Sequence, residues 1–199
     1  MNLAGTQVVL ATGNAGKLKE FAGLLAPLEI TLITQASLDI ASAPEPYETF
    51  IENALTKARH TSRASGLASL ADDSGICVEC LHGAPGIHSA RFAGAGASDA
   101  MNNQHLMAQM QGQSNRRAKY VCVLVFIRHP SDPEPIIAVG NWHGEVLDHP
   151  RGTGGFGYDP YFYIPELGKT AAELDLEQKN ALSHRAIAAH ELIKRLQHA

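Results

Sequence analysis

The chain has 199 residues and a formal net charge of −4, with 45% hydrophobic and 18% charged residues. This composition is typical of a globular protein, and the length predicts one domain over residues 1–199 that can form two lobes around a shared core. The charge balance argues against a broad surface for nucleic acid polymers or anionic membranes. A phosphate ligand would therefore have to meet a few individually placed cations.

The cysteines and the N-terminal segment indicate a reducing, cytoplasmic location. The chain has three cysteines, and no apolar run reaches membrane-spanning length. Cys77 and Cys80 form a C-x-x-C without a second pair, and in a strand they would point to opposite faces. Zinc binding and redox chemistry are therefore disfavoured. The first residues, MNLAGTQ, do not have the pattern of a signal peptide.

Residues 7–25 predict a strand, a polar loop and a helix. The apolar run at 8–10 is typical of a buried parallel strand, and Asn14 is a candidate N-cap for a helix that begins at Ala15 or Gly16. Backbone N–H groups at such a helix start form an anion site, to which Lys17 would add positive charge. The alternative is an ordinary turn between strand and helix with a surface lysine.

The same loop is not one of the two familiar nucleotide motifs. A P-loop requires a glycine where this chain has Ala11, and a serine or threonine where it has Leu18. The hydroxyl that binds magnesium in a P-loop is therefore missing. The loop also lacks the third glycine of a dinucleotide-binding fingerprint.

The next elements extend the pattern into an α/β fold. Residues 29–34 (EITLIT) predict a second strand, which would complete a parallel βαβ unit. Thr49 and Glu52 form a capping box that opens a helix ending near Gly66. The apolar side of that helix is predicted to comprise Phe50, Ile51, Ala54, Leu55 and Ala58.

A pair of acids follows the third predicted strand, at 67–71. Asp72, Asp73, Ser74 and Gly75 are expected at the carboxyl end of this strand, where open α/β sheets bind their ligands. Adjacent side chains on a strand point to opposite faces, so only one carboxylate should face a site. The alternative is a turn in which the aspartates cap their own backbone.

The middle of the chain supplies further scaffold. Residues 76–81 are consistent with a strand, and Ser98 predicts the N-cap of a helix to about Gln111, with Met101 and Met110 in the core. Residues 120–128 (YVCVLVFIR) predict a central strand buried on both faces. Residues 136–147 predict a bent strand that returns beside it.

A glycine-rich stretch at 151–163 (RGTGGFGYDPYFY) is the third informative segment. Pro160 prevents the glycines from leading directly into a helix, so this is not a dinucleotide-binding turn. Phe156 or Tyr158 could stack on a nucleobase, and Asp159 could contact the base edge or a cation. The alternative is a glycine-rich turn whose aromatic residues belong to the core.

The C-terminal region collects basic side chains. Ser183 is a candidate N-cap of a last helix, and His184 and Arg185 would occupy its first turn. Positive charge is unfavourable there because of the helix dipole, unless an anion lies at that end. Lys169 and Lys179 precede this helix and add to the basic character.

These motifs together resemble the inosine/xanthosine triphosphate pyrophosphatases, the Ham1-like family that acts on non-standard purine nucleotides. The motifs are TGNAGK at 12–17, FIENA at 50–54 with KA at 57–58, ADDSG at 71–75, GAPG at 83–86 with SAR at 89–91, GTGGFGYDP at 152–160, GKT at 168–170, Lys179, and SHR at 183–185. They run in family order over most of the chain.

The resemblance implies a fold, an activity and an assembly. The fold is α/β, with two lobes, a long mixed central sheet flanked by helices, and an active site in the cleft between the lobes. The activity is Mg²⁺-dependent hydrolysis of ITP, dITP or XTP to the monophosphate and pyrophosphate. The assembly is a homodimer.

Site residues follow from the same resemblance. Asp73, Asp72 and Lys57 are the catalytic residues, and Glu45 and Asp73 are the Mg²⁺ ligands. The substrate-binding residues are Thr12, Gly13, Asn14, Ala15, Gly16, Lys17, Ser74, Phe156, Gly157, Tyr158, Asp159, Lys179, His184 and Arg185. One segment departs from the family, which usually has two acids and a glycine where this chain has PEPYE at 44–48. Glu45 alone falls in the acidic position, and Glu48 is an added acid.

Two other functions remain open at this point. One is a regulator that binds nucleotides without hydrolysing them, although three carboxylates beside an anion favour a metal-dependent enzyme. The other is a Maf-like enzyme acting on modified pyrimidine nucleotides. The glycine–aromatic segment and SHR at 183–185 favour the purine enzyme.

Overall fold

The computed structural model describes residues 3–198, except for the side chain of Ala15, and divides them into two compact units. The first unit comprises residues up to 73, 122–140 and from 184 onward, and the second comprises 74–121 and 141–183. Within residues 3–198 the helices are α1 (Ala15–Leu24), α2 (Phe50–Ser65), α3 (Asp99–Gln109), α4 (Leu176–Leu182) and α5 (His184–His198). None of these helices is long and apolar enough to cross a membrane.

The strands form one mixed sheet, so the predicted α/β class is confirmed. In the described part of the chain they are β1 (Gln7–Ala11), β2 (Thr31–Thr34), β3 (Ala68–Val78), β4 (Arg117–Ile127), β5 (Ile136–Val146), β6 (Phe162–Ile164) and β7 (Lys169–Thr170). Their order is β2-β1-β3-β4-β5-β6-β7. β1 runs parallel to β2 and β3, whereas β6 runs antiparallel to β5 and β7.

The first unit is built on the predicted βαβ arrangement. The Asn14 side chain caps α1 by accepting the Lys17 amide, as its position before the helix predicted. Phe21 and Leu25 then turn inward and pack with Leu10 of β1 and Leu192 of α5 in one hydrophobic cluster. Burying such side chains contributes roughly 1.5–3 kcal/mol each, which fixes α1 and the loop before it on the sheet.

Helix α2 begins after the predicted Thr49 cap, although the Glu52 side chain binds the Thr49 hydroxyl and not its backbone amide, and the buried face differs from the prediction. Thr49 caps the helix and Gly66 ends it in the left-handed conformation. Ile51 is 43% exposed, so its predicted place on the apolar side is wrong. The buried positions are mostly small: Asn53, Ala54, Ala58, Thr61 and Ser62. Small side chains allow α2 to approach the sheet closely, which leaves no room there for a face of larger residues.

The acidic pair lies inside a strand and not at its end, which corrects the prediction. β3 continues from Ala68 through Asp72, Asp73 and Ser74 to Val78. Gly75 permits this continuation, because a Cβ there would overlap the Gly86 carbonyl oxygen and the Ser89 hydroxyl. The Ser89 hydroxyl instead accepts the Ile76 amide at 2.9 Å. The Ser-Gly pair is therefore a point of close backbone approach.

The second unit has its own core around three aromatic rings. The Phe162 ring centroid lies 4.6 Å from that of Tyr120 and 5.3 Å from that of Trp142. Helix α3 begins at the predicted Ser98 cap. Met110 is buried as predicted, but Met101 is 52% exposed, so its assignment to the core is wrong.

The basic C-terminal region folds as two helices separated by Ser183. Helix α4 was not predicted, although Asp175 and Gln178 form a capping box at its start. Lys179 lies on α4, whereas His184 and Arg185 open α5, as predicted. The short α4 has too few apolar positions to show a helical period in the sequence.

Gly140 on β5 offers a test of the packing between β5 and α5. A Cβ at this position would overlap the His184 carbonyl oxygen and lie 2.6 Å from the Ala188 amide nitrogen. Both are backbone atoms of α5 and cannot rotate away. We expect Gly140→Ala to lower the free energy of unfolding by about 1–3 kcal/mol, measured by urea denaturation.

The matched control is Gly13→Ala, because a Cβ on Gly13 would meet nothing within 4 Å. Its free energy of unfolding should be unchanged or slightly raised, since alanine reduces the freedom of the unfolded chain. Equal unfolding midpoints for the two variants would contradict the packing argument.

Candidate active site

The first unit places the loop after β1 at the start of α1. Thr12 is buried, and its hydroxyl accepts the Asn14 amide at 3.2 Å, while Asn14 Oδ1 accepts the Lys17 amide at 3.0 Å. Gly13 and Asn14 are exposed. The loop is therefore held from within by its own side chains, and it presents exposed backbone at a helix N-terminus.

Asp72 is buried and forms an ion pair with the partly buried Lys17. The Lys17 ammonium lies 2.9 Å from Asp72 Oδ1 and 3.0 Å from Oδ2. Burial raises the pKa of Asp72, but the charges of Lys17, Arg185 and Lys57 outweigh this and hold the pKa below its ordinary value. Asp72 therefore remains ionised, and both of its oxygens face a cation.

Lys57 of α2 brings the other two predicted acids together. Its ammonium lies 2.9 Å from Glu45 Oε1 and 2.9 Å from Asp73 Oδ1. Burial lowers the pKa of Lys57, but the negative charges of Asp72, Asp73 and Glu45 outweigh this and raise the pKa overall. Lys57 is therefore a fixed positive charge between two carboxylates from separate segments.

Asp73 differs from Asp72 in its electrostatics, although the two are adjacent in sequence. Burial raises the pKa of Asp73, the Lys57 ammonium lowers it, and the nearby charge of Glu45 raises it again, with a net upward shift. Asp73 Oδ2 is buried and accepts no hydrogen bond from any residue in 3–198. A carboxylate oxygen in this situation is available to a water molecule or a cation.

The acidic segment that carries Glu45 is held by a residue that the sequence analysis missed. Asn53 of α2 is fully buried, and its side chain accepts the Tyr47 amide at 3.2 Å and donates to the Tyr47 carbonyl at 3.1 Å. His60 contacts the Ala41 carbonyl at 2.9 Å. A buried polar residue on the inner face of an amphipathic helix was the signal that could have identified Asn53.

These donors fit a magnesium ion. Mg²⁺ binds oxygen ligands and commonly takes one or two protein carboxylates together with substrate phosphates. Glu45 and Asp73 supply two carboxylates that already converge on one positive charge, and Asp73 Oδ2 has no other partner within 3–198. The described residues contain no group of three or more acids, histidines or cysteines arranged to hold a metal ion. The remaining ligands would come from substrate and water.

Arg185 lies in the first unit, on α5, and is buried with an acid from α1. Its Nη1 atom is 2.9 Å from Glu20 Oε2, and both side chains are 6% exposed. His184, the preceding residue, is also buried. The acid of this pair was not predicted, because it lies 165 positions away from Arg185 in sequence. A glutamate on the inner face of α1 was the available signal.

The second unit places Asp159 at the centre of a buried polar network. Asp159 Oδ2 lies 2.8 Å from the Lys179 ammonium and accepts the Phe156 amide at 2.9 Å. Asp159 Oδ1 accepts the Tyr120 hydroxyl at 3.2 Å. Asp159 and Lys179 are both almost fully buried. The network fixes the turn at Phe156 and neutralises two charges that would otherwise be costly.

The two aromatic residues of the glycine-rich segment have different environments. Tyr158 is 4% exposed, and its hydroxyl donates to the Ser89 carbonyl at 2.8 Å, so its ring belongs to the core. Phe156 is half-buried, and the Lys179 ammonium lies 5.0 Å from its ring centroid. Phe156 is therefore the candidate for stacking on a base, and Lys179 contacts one face of it.

The predicted site residues thus form two groups. The first unit contains Thr12, Gly13, Asn14, Ala15, Gly16, Lys17, Glu45, Lys57, Asp72, Asp73, His184 and Arg185. The second unit contains Ser74, Phe156, Gly157, Tyr158, Asp159 and Lys179. In the first group, ion pairs connect acids and bases from four segments of the chain. In the second, one carboxylate organises the glycine-rich segment.

Comparison with known proteins gives one consistent relationship. The Ham1 family model matches residues 8–195. The dITP/XTP pyrophosphatase of Neisseria meningitidis serogroup B is 59% identical, and that of Ralstonia nicotianae is 58% identical, each over 96% of both chains. A solved Ham1 protein from Coxiella burnetii is 43% identical with a TM-score of 0.91, covering 98% of this chain and 100% of that one. The chain belongs to the Ham1 family.

Proposed function

We propose that this chain hydrolyses non-standard purine nucleoside triphosphates (ITP, dITP and XTP) to the monophosphate and pyrophosphate. The observation that carries the proposal is the convergence of Glu45 and Asp73 on one partly buried positive charge, in a chain of the Ham1 family. Two relatives named dITP/XTP pyrophosphatase support the substrate class. Such an enzyme removes deaminated purines from the nucleotide pool.

The loop after β1 binds the triphosphate in this proposal. Its exposed backbone at Gly13 and Asn14 opens α1, where unpaired N–H groups favour anions. Lys17 supplies charge to the same place, although Asp72 already holds its ammonium. We infer that Asp72 positions Lys17, and that its lowered pKa keeps it from acting as a base at neutral pH.

Asp73 is the group that takes a proton from the attacking water. Burial raises the pKa of Asp73 when no cation is bound to it, which is the direction that a general base requires. Its Oδ1 atom is held by Lys57, while Oδ2 is buried and accepts no hydrogen bond in residues 3–198. Lys57 fixes the side chain and balances the negative charge that develops around it.

Charge balance supports a divalent cation as cofactor. Lys17, Lys57 and Arg185 face Glu20, Glu45, Asp72 and Asp73, so the side chains alone carry an excess of negative charge. A triphosphate would be repelled by this excess. Mg²⁺, when bound by Glu45 and Asp73, would neutralise charge on the reacting phosphate.

The other predicted residues select the base. Phe156 stacks on it, while Lys179, His184 and Arg185 supply donors for a 6-oxo group. Adenine carries an amino group at this position, and an unpaired buried donor costs on the order of 1–3 kcal/mol. Guanine also has a 6-oxo group, so its exclusion requires a contact at position 2.

We also propose that the protein is a homodimer and that it lies in the cytoplasm. The free thiols of Cys77, Cys80 and Cys122 are suited to that reducing compartment.

A panel of ITP, dITP, XTP, GTP, ATP and a modified pyrimidine triphosphate tests the function. With Mg²⁺ present, we expect pyrophosphate release to be fastest from ITP, dITP and XTP, and removal of the metal with EDTA should abolish it. Release of orthophosphate alone, or binding without hydrolysis, would refute the proposal and favour a regulator. Preference for the pyrimidine nucleotide would favour the Maf-like alternative.

Replacing Asp73 tests the assignment of the base. Asp73→Asn should lower kcat for ITP by about 100- to 10,000-fold, because the amide cannot accept the proton. Nucleotide binding, measured by calorimetry, should remain detectable. Asp132→Asn is the matched control, since Asp132 is a buried carboxylate of the same unit that pairs with Arg128. Near wild-type turnover by Asp73→Asn would remove Asp73 from the mechanism.

Lys179 and Asp159 are tested together, because removing one charge alone would leave the other buried and unpaired. The double variant Lys179→Met with Asp159→Asn should raise KM for ITP roughly tenfold to a hundredfold, since hydrogen bonds from charged groups contribute about 1.5–3 kcal/mol. Inhibition by tripolyphosphate, which has no base, should be unchanged. Lys169→Met, at an exposed lysine, is the control. Equal effects on ITP and ATP would place base recognition elsewhere.

A further inference from the structure

Helix α3 holds the backbone of Gly157 with two side chains that lie one turn apart. Asp99 Oδ2 accepts the Gly157 amide at 2.7 Å, and Asn103 Nδ2 donates to the Gly157 carbonyl at 2.9 Å. Both polar groups of one glycine are thus bound by the same helix face. Gly157 has a φ of 63°, in the left-handed region, a backbone conformation that residues with a side chain rarely adopt.

Gly157 separates the two aromatic residues of the glycine-rich segment. On one side, Tyr158 is anchored in the core through its hydroxyl bond to Ser89. On the other side, Phe156 is half-buried and lies against the Lys179 ammonium. The Gly157 peptide, together with the bond from the Phe156 amide to Asp159, therefore sets where the Phe156 ring lies relative to the fixed Tyr158 ring.

Packing alone does not account for Asn103. It is 8% exposed, and its Oδ1 atom is buried and accepts no hydrogen bond within residues 3–198. The Gly157 carbonyl requires the donor end of the amide, so turning the amide over would not satisfy both ends. A buried acceptor without a donor is destabilising, and a leucine of similar size would avoid it. The presence of an amide at this position is therefore explained by its hydrogen bond to the Gly157 carbonyl.

We propose that Asp99 and Asn103 are positioning residues for base recognition. They fix the Gly157 peptide, and through it they place the Phe156 ring where it stacks on the purine. The proposal rests on the proposed function, because it assigns a role in that same site. It predicts that loss of these side chains weakens binding of the base and leaves binding of the phosphates intact.

Asp99 has a second property that the experiment must separate. It occupies the first turn of α3, where the helix dipole stabilises a negative charge. Ser98 also stabilises this helix end, by accepting the Met101 amide, but it has no hydrogen bond to Gly157. Ser98→Ala is therefore a control that weakens the start of α3 without removing the contacts to the glycine-rich segment.

The test compares Asp99→Ala, Asn103→Leu, their combination, Asp99→Asn and Ser98→Ala. Asp99 is exposed, so Asp99→Ala is expected to fold, and circular dichroism checks each variant. For each we would measure kcat and KM for ITP, and inhibition by tripolyphosphate. Asp99→Ala and Asn103→Leu each remove one contact, and each should raise KM for ITP roughly threefold to tenfold, with kcat and tripolyphosphate inhibition unchanged. Asp99→Asn keeps an acceptor and should restore most of the affinity.

The outcomes separate this inference from the proposed function. Pyrophosphate release from ITP by the wild-type enzyme is measured first, and its absence would overturn the function and the inference with it. With an active wild type, an unchanged KM in the combined variant would overturn the inference alone. It would also be overturned if tripolyphosphate inhibition weakened equally, or if Ser98→Ala raised KM as much as Asp99→Ala.

Discussion

The arrangement of the candidate site in the first unit depends on one partly buried ammonium group. Lys57 lies between Glu45 and Asp73, at 2.9 Å from each, and so connects α2 with the acidic segment and with β3. Removing Lys57 would leave the buried Asp73 carboxylate without this partner, which typically costs several kcal/mol. Two acids brought this close without Lys57 would repel each other. The same ammonium group therefore connects three segments of the chain and brings together the carboxylates of the candidate site.

The other cations of the candidate site are likewise each paired with an acid. Lys17 pairs with Asp72, Arg185 with Glu20, and Lys179 with Asp159. Well-packed apolar residues would often serve stability as well or better, so such pairs are weak evidence for stability and stronger evidence for a function that needs charge. Because Lys17, Lys57 and Arg185 already have acid partners, the side chains of the first unit have no positive charge left over to balance a triphosphate. In the proposed function, a divalent metal ion would supply the missing positive charge.

Local signals in the sequence were sufficient to predict where helices begin but not which distant residues contact one another. The caps at Asn14, Thr49 and Ser98 depend on neighbouring residues and were predicted. The course of β3 was not, because Gly75 meets Gly86 and Ser89, which follow it by more than ten positions. The acid bound by Arg185 was missed for the same reason. The family resemblance supplied the candidate residues, and the structure supplied their partners.

The two-residue period of a strand explains how adjacent aspartates acquire different chemistry. Since successive side chains on β3 point to opposite faces, Asp72 meets Lys17 while Asp73 meets Lys57. Three cations act on Asp72 and lower its pKa, whereas burial and the charge of Glu45 raise that of Asp73. One carboxylate is thereby fixed as a permanent anion and the other becomes the stronger base. A turn at this position would not impose that alternation, so the uninterrupted strand through the acidic pair is itself part of the proposed chemistry.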